Sequence, residues 1–321
     1  MLASKSIIDL LRAGVVIGDG GYLLELERRG YVDSGSGREK VGTGRGSGQF
    51  TPEVAIEHPE ALRELHREFL HAGSNVLQAL TFFGTREKLN RAGYGADTER
   101  INTAAVKLAK EIAGDRSLVA GSVSRTQLTE REGLGSLAKS RDHIAEQIRL
   151  LKDAGVDFLI LETFFHLAEM QVALECAAQA GIPAVATMSF RPLIAKCSDD
   201  HTPADCAKVM TDLGAVAVGA NCEQDPKRMR PLLREMRAAT KVPLAAQPAA
   251  FRTTEECHSF TRLAAFPDDL ETIQVSRSEF IEFGRWARNE GVGYAGGCCG
   301  CNAAYIRALA GGLRDAANEP L

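Results

Sequence analysis

The sequence predicts a single α/β domain, a parallel (β/α)8 TIM barrel spanning residues 1–321, and three observations carry that prediction. Eight short apolar runs rich in Val, Ile, Leu and Ala alternate with segments of helical periodicity. No run is much longer than about six residues, which suits strands buried on both faces, and one domain of this length is ordinary for a barrel. The residues with the most chemistry fall just after the runs, where a barrel gathers them on one face.

Residues 7–12 read as an opening helix and 14–18 as the first strand, which ends at Asp19-Gly20-Gly21. Helical spacing returns over 22–29. Residues 34–48 then shift abruptly to glycine, serine and charge. The glycines at 42, 44 and 46 neither leave a strand nor open a helix, so 34–50 is expected to be a mobile loop beside the site, not a phosphate cradle. Thr51-Pro52-Glu53 reads as a helix start, with threonine as cap and proline in the first turn.

An amphipathic helix over 60–72 precedes the strand 75–80, after which come Phe82 and Phe83. Helices over 98–113 and 140–154 lead into strands 118–123 and 156–161, the second ending in Glu162. The alternation continues with helix 166–180, strand 184–188, helix 203–213 and strand 215–218, which runs on to Cys222. Helix 227–240 precedes strand 244–248. Helix 278–290 precedes strand 293–295, which enters Gly296-Gly297-Cys298-Cys299-Gly300.

Adjacent thiols framed by glycines make a strained mutual disulfide, whereas a soft metal held by thiolates has a use for them. Cys222 supplies a third sulfur from another strand end. Three cysteines leave one position of a tetrahedral zinc open, the mark of a catalytic site, while a closed structural site would recruit Cys301 as the fourth. Cys176, Cys197, Cys206 and Cys257 lack partners at ligand spacing and read as small hydrophobes or surface thiols. Asp19 reads either as a site acid or as a cap for the following helix. Glu162, placed after Phe158-Leu159-Ile160-Leu161, calls for a cationic partner. His58 and His66 read as packing or surface residues, His166 opens the helix after Glu162 with lining the pocket as its lesser reading, and Asn221 reads as an orienting neighbour of the cysteines.

The formal net charge of −4 leaves no basic footprint for nucleic acid or an anionic membrane surface. No apolar run approaches the ~20 residues of a membrane span. Residues 1–12 carry charge every few positions, unlike a signal peptide, so the 8 cysteines are expected reduced and the protein cytoplasmic.

These stretches resemble the homocysteine S-methyltransferase family, in its betaine–homocysteine branch. The resemblance is carried by Gly18-Asp19-Gly20-Gly21, Leu26-Glu27-Arg28-Arg29-Gly30-Tyr31-Val32, Thr51-Pro52-Glu53, Glu57-His58-Pro59-Glu60-Ala61, Ala72-Gly73-Ser74-Asn75-Val76, Gly219-Ala220-Asn221-Cys222 and Gly296-Gly297-Cys298-Cys299-Gly300. It extends over residues 8–312. The resemblance implies Zn2+ held by Cys222, Cys298 and Cys299, with homocysteine supplying its thiol as the next ligand. It implies that Asp19 and Glu162 hold the homocysteine amino group, with the amides at Gly20 and Gly21 near its carboxylate. The partners it implies are homocysteine and a small cationic methyl donor, betaine or sulfonium in type, with methionine as product.

Departures from the branch fall in the donor pocket. Phe50 stands where the branch has tryptophan, Phe83 where it has tyrosine, and Thr163 where it has tyrosine after the acid. Aromatic faces at Phe50, Phe82, Phe83 and Phe164 are expected to hold an onium group at about 0.5–2 kcal/mol each. The missing hydroxyls turn the expectation from glycine betaine toward a sulfonium or another betaine. Competing readings are a corrinoid- or folate-linked module, which would need partner domains, and a non-catalytic zinc-binding protein, which would leave Asp19 and Glu162 unexplained. The tetramer of animal relatives, which carry a C-terminal extension, is not expected to transfer, though a homo-oligomer is compatible with the sequence.

Overall fold

The computed structural model describes residues 6–32, 52–266 and 269–315. The expected mobile loop at 34–50, together with Phe50 and Thr51, lies outside the described residues. Eight parallel strands run β1 (Val16–Ile17), β2 (Val76–Ala79), β3 (Leu118–Ser124), β4 (Phe158–Phe164), β5 (Ala184–Met188), β6 (Ala217–Asn221), β7 (Leu244–Gln247) and β8 (Val292–Ala295). From β2 to β8 each strand pairs with its sequence neighbour, and β1 pairs with β8, which brings β1 round to β2 in a nearly closed (β/α)8 barrel. The seam between β1 and β2 is closed by one residue. Asn75 donates its amide to the Ile17 carbonyl (2.7 Å), and its side-chain Oδ1 accepts from the Ile17 amide (3.0 Å).

Period-two alternation sorts the strand residues. Val16, Val76, Leu118, Ala120, Phe158, Ile160, Val185, Ala217, Ala245 and Tyr294 fill the barrel interior, and Ile7 and Leu10 of the helix Ile7–Ala13 pack with them. That helix starts on a capping box in which Ser6 and Asp9 satisfy each other's backbone amides. The opposite faces of the strands meet the outer helices in a second, larger core. Gly219 on β6 has no room for a side chain, since a Cβ there would stand 1.7 Å from the Ala245 carbonyl oxygen on β7.

The helices Pro59–Ala72, Thr98–Ala113, Leu137–Ala154, Leu167–Ala180, Pro203–Asp212, Pro226–Ala239 and Arg277–Asn289 lie where periodicity puts them, with ends shifted by a residue or a few. Two strand ends move for a reason that matters to the site. β4 runs past Glu162 to Phe164 with a register shift between Leu161 and Phe164, and Thr163 in the middle sits at φ 58°. β6 runs to Asn221, where Cys222 and Glu223 turn the chain at φ 60° and 56°. The helix Ala303–Asp315, absent from the reading of the sequence, packs on Arg277–Asn289 at close range, because Gly284 and Gly312 let the backbones approach. Among the described residues no helix is long and apolar enough to cross a membrane.

Candidate active site

A cavity of about 220 Å³ opens at the carboxyl ends of the strands. Gly20, Gly21, Gln78, Phe82, Phe83, Glu162, Thr163, Cys222, Cys298 and Cys299 all line it, so residues from the ends of β1, β2, β4, β6 and β8 meet there. Asp19 lies just behind the wall, 1 % exposed. Phe164 does not join them: it is buried in the outer core. The bulge at Thr163 is the physical cause, since it breaks the alternation and sends Phe164 to the same side as Leu161 while Glu162 keeps the inner side.

The three sulfurs of Cys222, Cys298 and Cys299 lie within 4.8 Å of one another, with Cys222 and Cys299 3.6 Å apart. Two residues in the left-handed region are what turn Cys222 over the strand end. Non-glycine residues hold that conformation at a cost of order 1–3 kcal/mol each, and such strain gathers at functional sites. From the other side, the β8 loop is pinned by amide bonds from Gly297 to the Asp19 carbonyl (2.9 Å) and from Cys298 to that of Pro248 (2.9 Å). Cys301 takes no part in the cluster. Its sulfur is buried and donates to the Pro248 carbonyl (3.4 Å), which removes the closed four-cysteine arrangement.

Hydrogen bonds from Cys298 and Cys299 pull the Cys222 thiol well below its ordinary range, and the same bonds push Cys298 and Cys299 well above theirs. One thiolate therefore forms readily and suppresses the other two. A divalent cation would remove that suppression, because metal coordination deprotonates thiols outright. The donor set thus fits zinc: three soft sulfurs in reach of one ion and, among the described residues, no fourth protein ligand closing the shell.

Two carboxyls sit beside the sulfurs. Burial pushes Asp19 up to about 7, against hydrogen bonds from the Tyr22 hydroxyl (2.5 Å) and the Gln78 amide (2.6 Å), and its Oδ1 has no partner. Burial likewise pushes Glu162 up to about 8, opposed by the Ser122 hydroxyl (2.6 Å) and the Gln78 side-chain amide. Glu162 and Glu223 line the cavity with the three thiols and Arg125, and Asp19 lies just behind. Such a site favours cationic occupants.

Asp19 does not cap the next helix, because Leu23–Arg28 begins without a side-chain cap and the acid is held by Tyr22 and Gln78. The glycines act by clearance. A Cβ at Gly20 would meet the Cys301 carbonyl oxygen at 1.9 Å, one at Gly21 that of Cys298 at 2.6 Å, and the Gly21 amide already donates to Cys301 (2.9 Å). That amide is therefore already paired within the protein. Asn221 is a strut. Its Oδ1 accepts from the Thr163 amide (2.8 Å) and Thr187 hydroxyl (2.9 Å), and its amide donates to the Thr163 hydroxyl (2.6 Å).

Phe82 and Phe83 do line the cavity, but Lys88 Nζ stands 3.9 Å from the Phe83 ring centroid. Burial lowers that ammonium well below its usual range, with Arg125 adding repulsion. His66 is fully buried against the Tyr22 hydroxyl (3.0 Å), a packing role as expected. Gln78, Tyr22, Ser122 and Arg125 escaped the reading of the sequence. The available signal was a polar side chain inside an otherwise apolar strand, plain at Gln78 and Ser122.

Comparison with known proteins agrees with this geometry. The homocysteine S-methyltransferase family profile matches residues 16–313. Betaine–homocysteine S-methyltransferase 1 of Mus musculus is 39 % identical over 324 residues, covering 96 % of this chain and 74 % of the relative. An S-methylmethionine–homocysteine S-methyltransferase of Pongo abelii is 36 % identical over 317 residues, covering 96 % and 81 %. Among solved structures, the metallated homocysteine methyltransferase MmuM of Escherichia coli shares the fold at TM-score 0.69 and 21 % identity, with 94 % of this chain and 98 % of that one covered. With the profile spanning nearly the whole barrel and the strand-end cysteines meeting in one cavity, the chain belongs to the homocysteine S-methyltransferase family.

Proposed function

We propose that this protein transfers a methyl group from a small onium donor to the thiol of homocysteine, giving methionine and the demethylated donor. The observation that carries the proposal is the meeting of Cys222, Cys298 and Cys299 with the buried acid Glu162 on one cavity wall. The three cysteines would hold zinc, which when bound supplies a Lewis acid that keeps the homocysteine sulfur as thiolate at neutral pH. Relatives named for betaine and for S-methylmethionine both support an onium donor.

The protein's own residues do the rest. Glu162, ionised by a cationic partner, holds the substrate ammonium, with Asp19 behind it adding negative charge. Gln78 ties both acids to β2 and fixes their spacing. Thr163, locked by Asn221, and the rings of Phe82 and Phe83 shape the space left for the donor. The sulfur attacks the methyl carbon, the bond from carbon to the onium nitrogen or sulfur breaks, and its electron pair leaves with the neutral amine or sulfide. Opposite charges cancel in the transition state, which a cavity walled by protein favours. Holding both partners in line supplies most of the remaining acceleration.

The test is methionine formation by zinc-loaded protein given homocysteine and, in turn, glycine betaine, dimethylsulfoniopropionate and S-methylmethionine. Turnover with at least one donor is the expected result. Absence of methionine with every onium donor, while homocysteine still binds, would refute the donor class.

A further inference from the structure

Asp19 is the near end of a buried row of polar side chains that the reaction as described does not use. Tyr22 donates its hydroxyl to Asp19 Oδ2 at 2.5 Å, and the same hydroxyl meets Nδ1 of His66, on the helix Pro59–Ala72, at 3.0 Å. Tyr22 and His66 are buried. The Tyr22 ring packs edge-on against His66 (5.3 Å between centroids) and against Phe69 of the same helix (5.2 Å), which fixes where the hydroxyl sits.

Packing accounts for the His66 ring and leaves its nitrogens to be explained. Burial drives the imidazole down to about 3, so the ring is neutral and carries a single N–H. A tyrosine hydroxyl likewise has one proton to give, and an ionised carboxylate can only accept. Next to Asp19 Oδ2 that proton is committed to the carboxylate, and the contact with His66 then requires Nδ1 to be the donor. Nε2, which has no hydrogen-bond partner among the described residues, is the nitrogen left without a proton. The row therefore runs one way, from His66 Nδ1–H to the Tyr22 oxygen and from the Tyr22 hydroxyl to Asp19.

A hydroxyl that accepts one hydrogen bond is polarised into a better donor of the next. The Gln78 amide donates to the same carboxylate oxygen (2.6 Å), so two donors converge on Oδ2, while Oδ1 has no partner among the described residues. A carboxylate fixed through one oxygen presents the other in a set direction.

We infer that Tyr22 and His66 are positioning residues for the acceptor substrate: the directed chain from His66 through Tyr22 holds Asp19 by Oδ2 and leaves Oδ1 free for the ammonium of homocysteine. The inference rests on the methyl-transfer reading and adds to it two residues that act through Asp19.

The test compares two thiols, homocysteine and 4-mercaptobutanoate, the same molecule without its amino group, in calorimetric binding to zinc-loaded protein. The wild type is expected to favour homocysteine. Tyr22→Phe keeps the ring and loses only the hydroxyl, and it should shrink that preference by about tenfold, the scale of one hydrogen bond to a charged group. The loss should fall on homocysteine, with 4-mercaptobutanoate bound as in the wild type. His66→Leu should act in the same direction, and His66→Asn, whose amide can donate in place of Nδ1, should restore part of the preference. The double variant Tyr22→Phe/His66→Leu should match Tyr22→Phe alone, because His66 acts only through the hydroxyl.

A preference untouched in Tyr22→Phe overturns the chain, as does a loss shared equally by both thiols or a His66→Leu effect that adds in full to that of Tyr22→Phe. Where His66→Leu does not fold, the Tyr22→Phe comparison decides alone. A selective loss of homocysteine binding supports the chain even in a protein that transfers no methyl group, and methionine formation measured alongside tests the reaction separately. A wild type that binds the two thiols alike overturns the chain together with the ammonium role of the acids.

Discussion

Cys299→Ala is expected to lose zinc and activity together. Removing one of three sulfurs leaves too few ligands for tight binding, so zinc affinity should fall by more than the roughly 100-fold seen when an outer partner of a metal ligand is removed. Methionine formation should fall on the order of a thousandfold, since the homocysteine thiol then stays mostly protonated at neutral pH and is no longer positioned. Cys301→Ala is the contrast. Its sulfur faces the Pro248 carbonyl, so the variant should keep full zinc stoichiometry. Equal zinc loss in both variants, measured by metal analysis of purified protein, would contradict the three-sulfur account.

The second large effect falls on Glu162. Removing one partner of a buried charge pair costs about 2–5 kcal/mol, so Glu162→Gln should weaken homocysteine binding by roughly a hundredfold. A pH signature separates this from simple misfolding. Burial holds Asp19 at about 7 and Glu162 at about 8 in the ligand-free protein, so both are largely protonated at pH 6 and ionise as the pH rises. An ammonium ion binds the ionised acids, hence wild-type affinity should strengthen from pH 6 to pH 8 in calorimetric titrations. In Glu162→Gln that dependence should flatten. An affinity independent of pH in the wild type would show that these acids do not meet the amino group.

Much of this was legible before the structure. Alternating apolar runs and helical segments reveal a parallel barrel, and a barrel brings residues as far apart as Glu162, Cys222 and Cys298 to one face. Local irregularity was not legible. Periodicity carries no sign of the left-handed Thr163, so Phe164 read as a pocket residue although the bulge turns it into the core. Amide partners are equally silent in sequence, and nothing in it shows that the Gly21 amide is held by the Cys301 carbonyl. The helix Ala303–Asp315 escaped because its alanines and glycines blur the polar-to-apolar contrast that marks a helix.

X-ray absorption at the zinc edge, with and without homocysteine, tests the central claim most directly. The account predicts three sulfur neighbours at ~2.3 Å in the zinc-loaded protein and a fourth when homocysteine is added, with Cys299→Ala unable to form the shell. Four sulfurs before homocysteine, or a shell that homocysteine leaves unchanged, would contradict it.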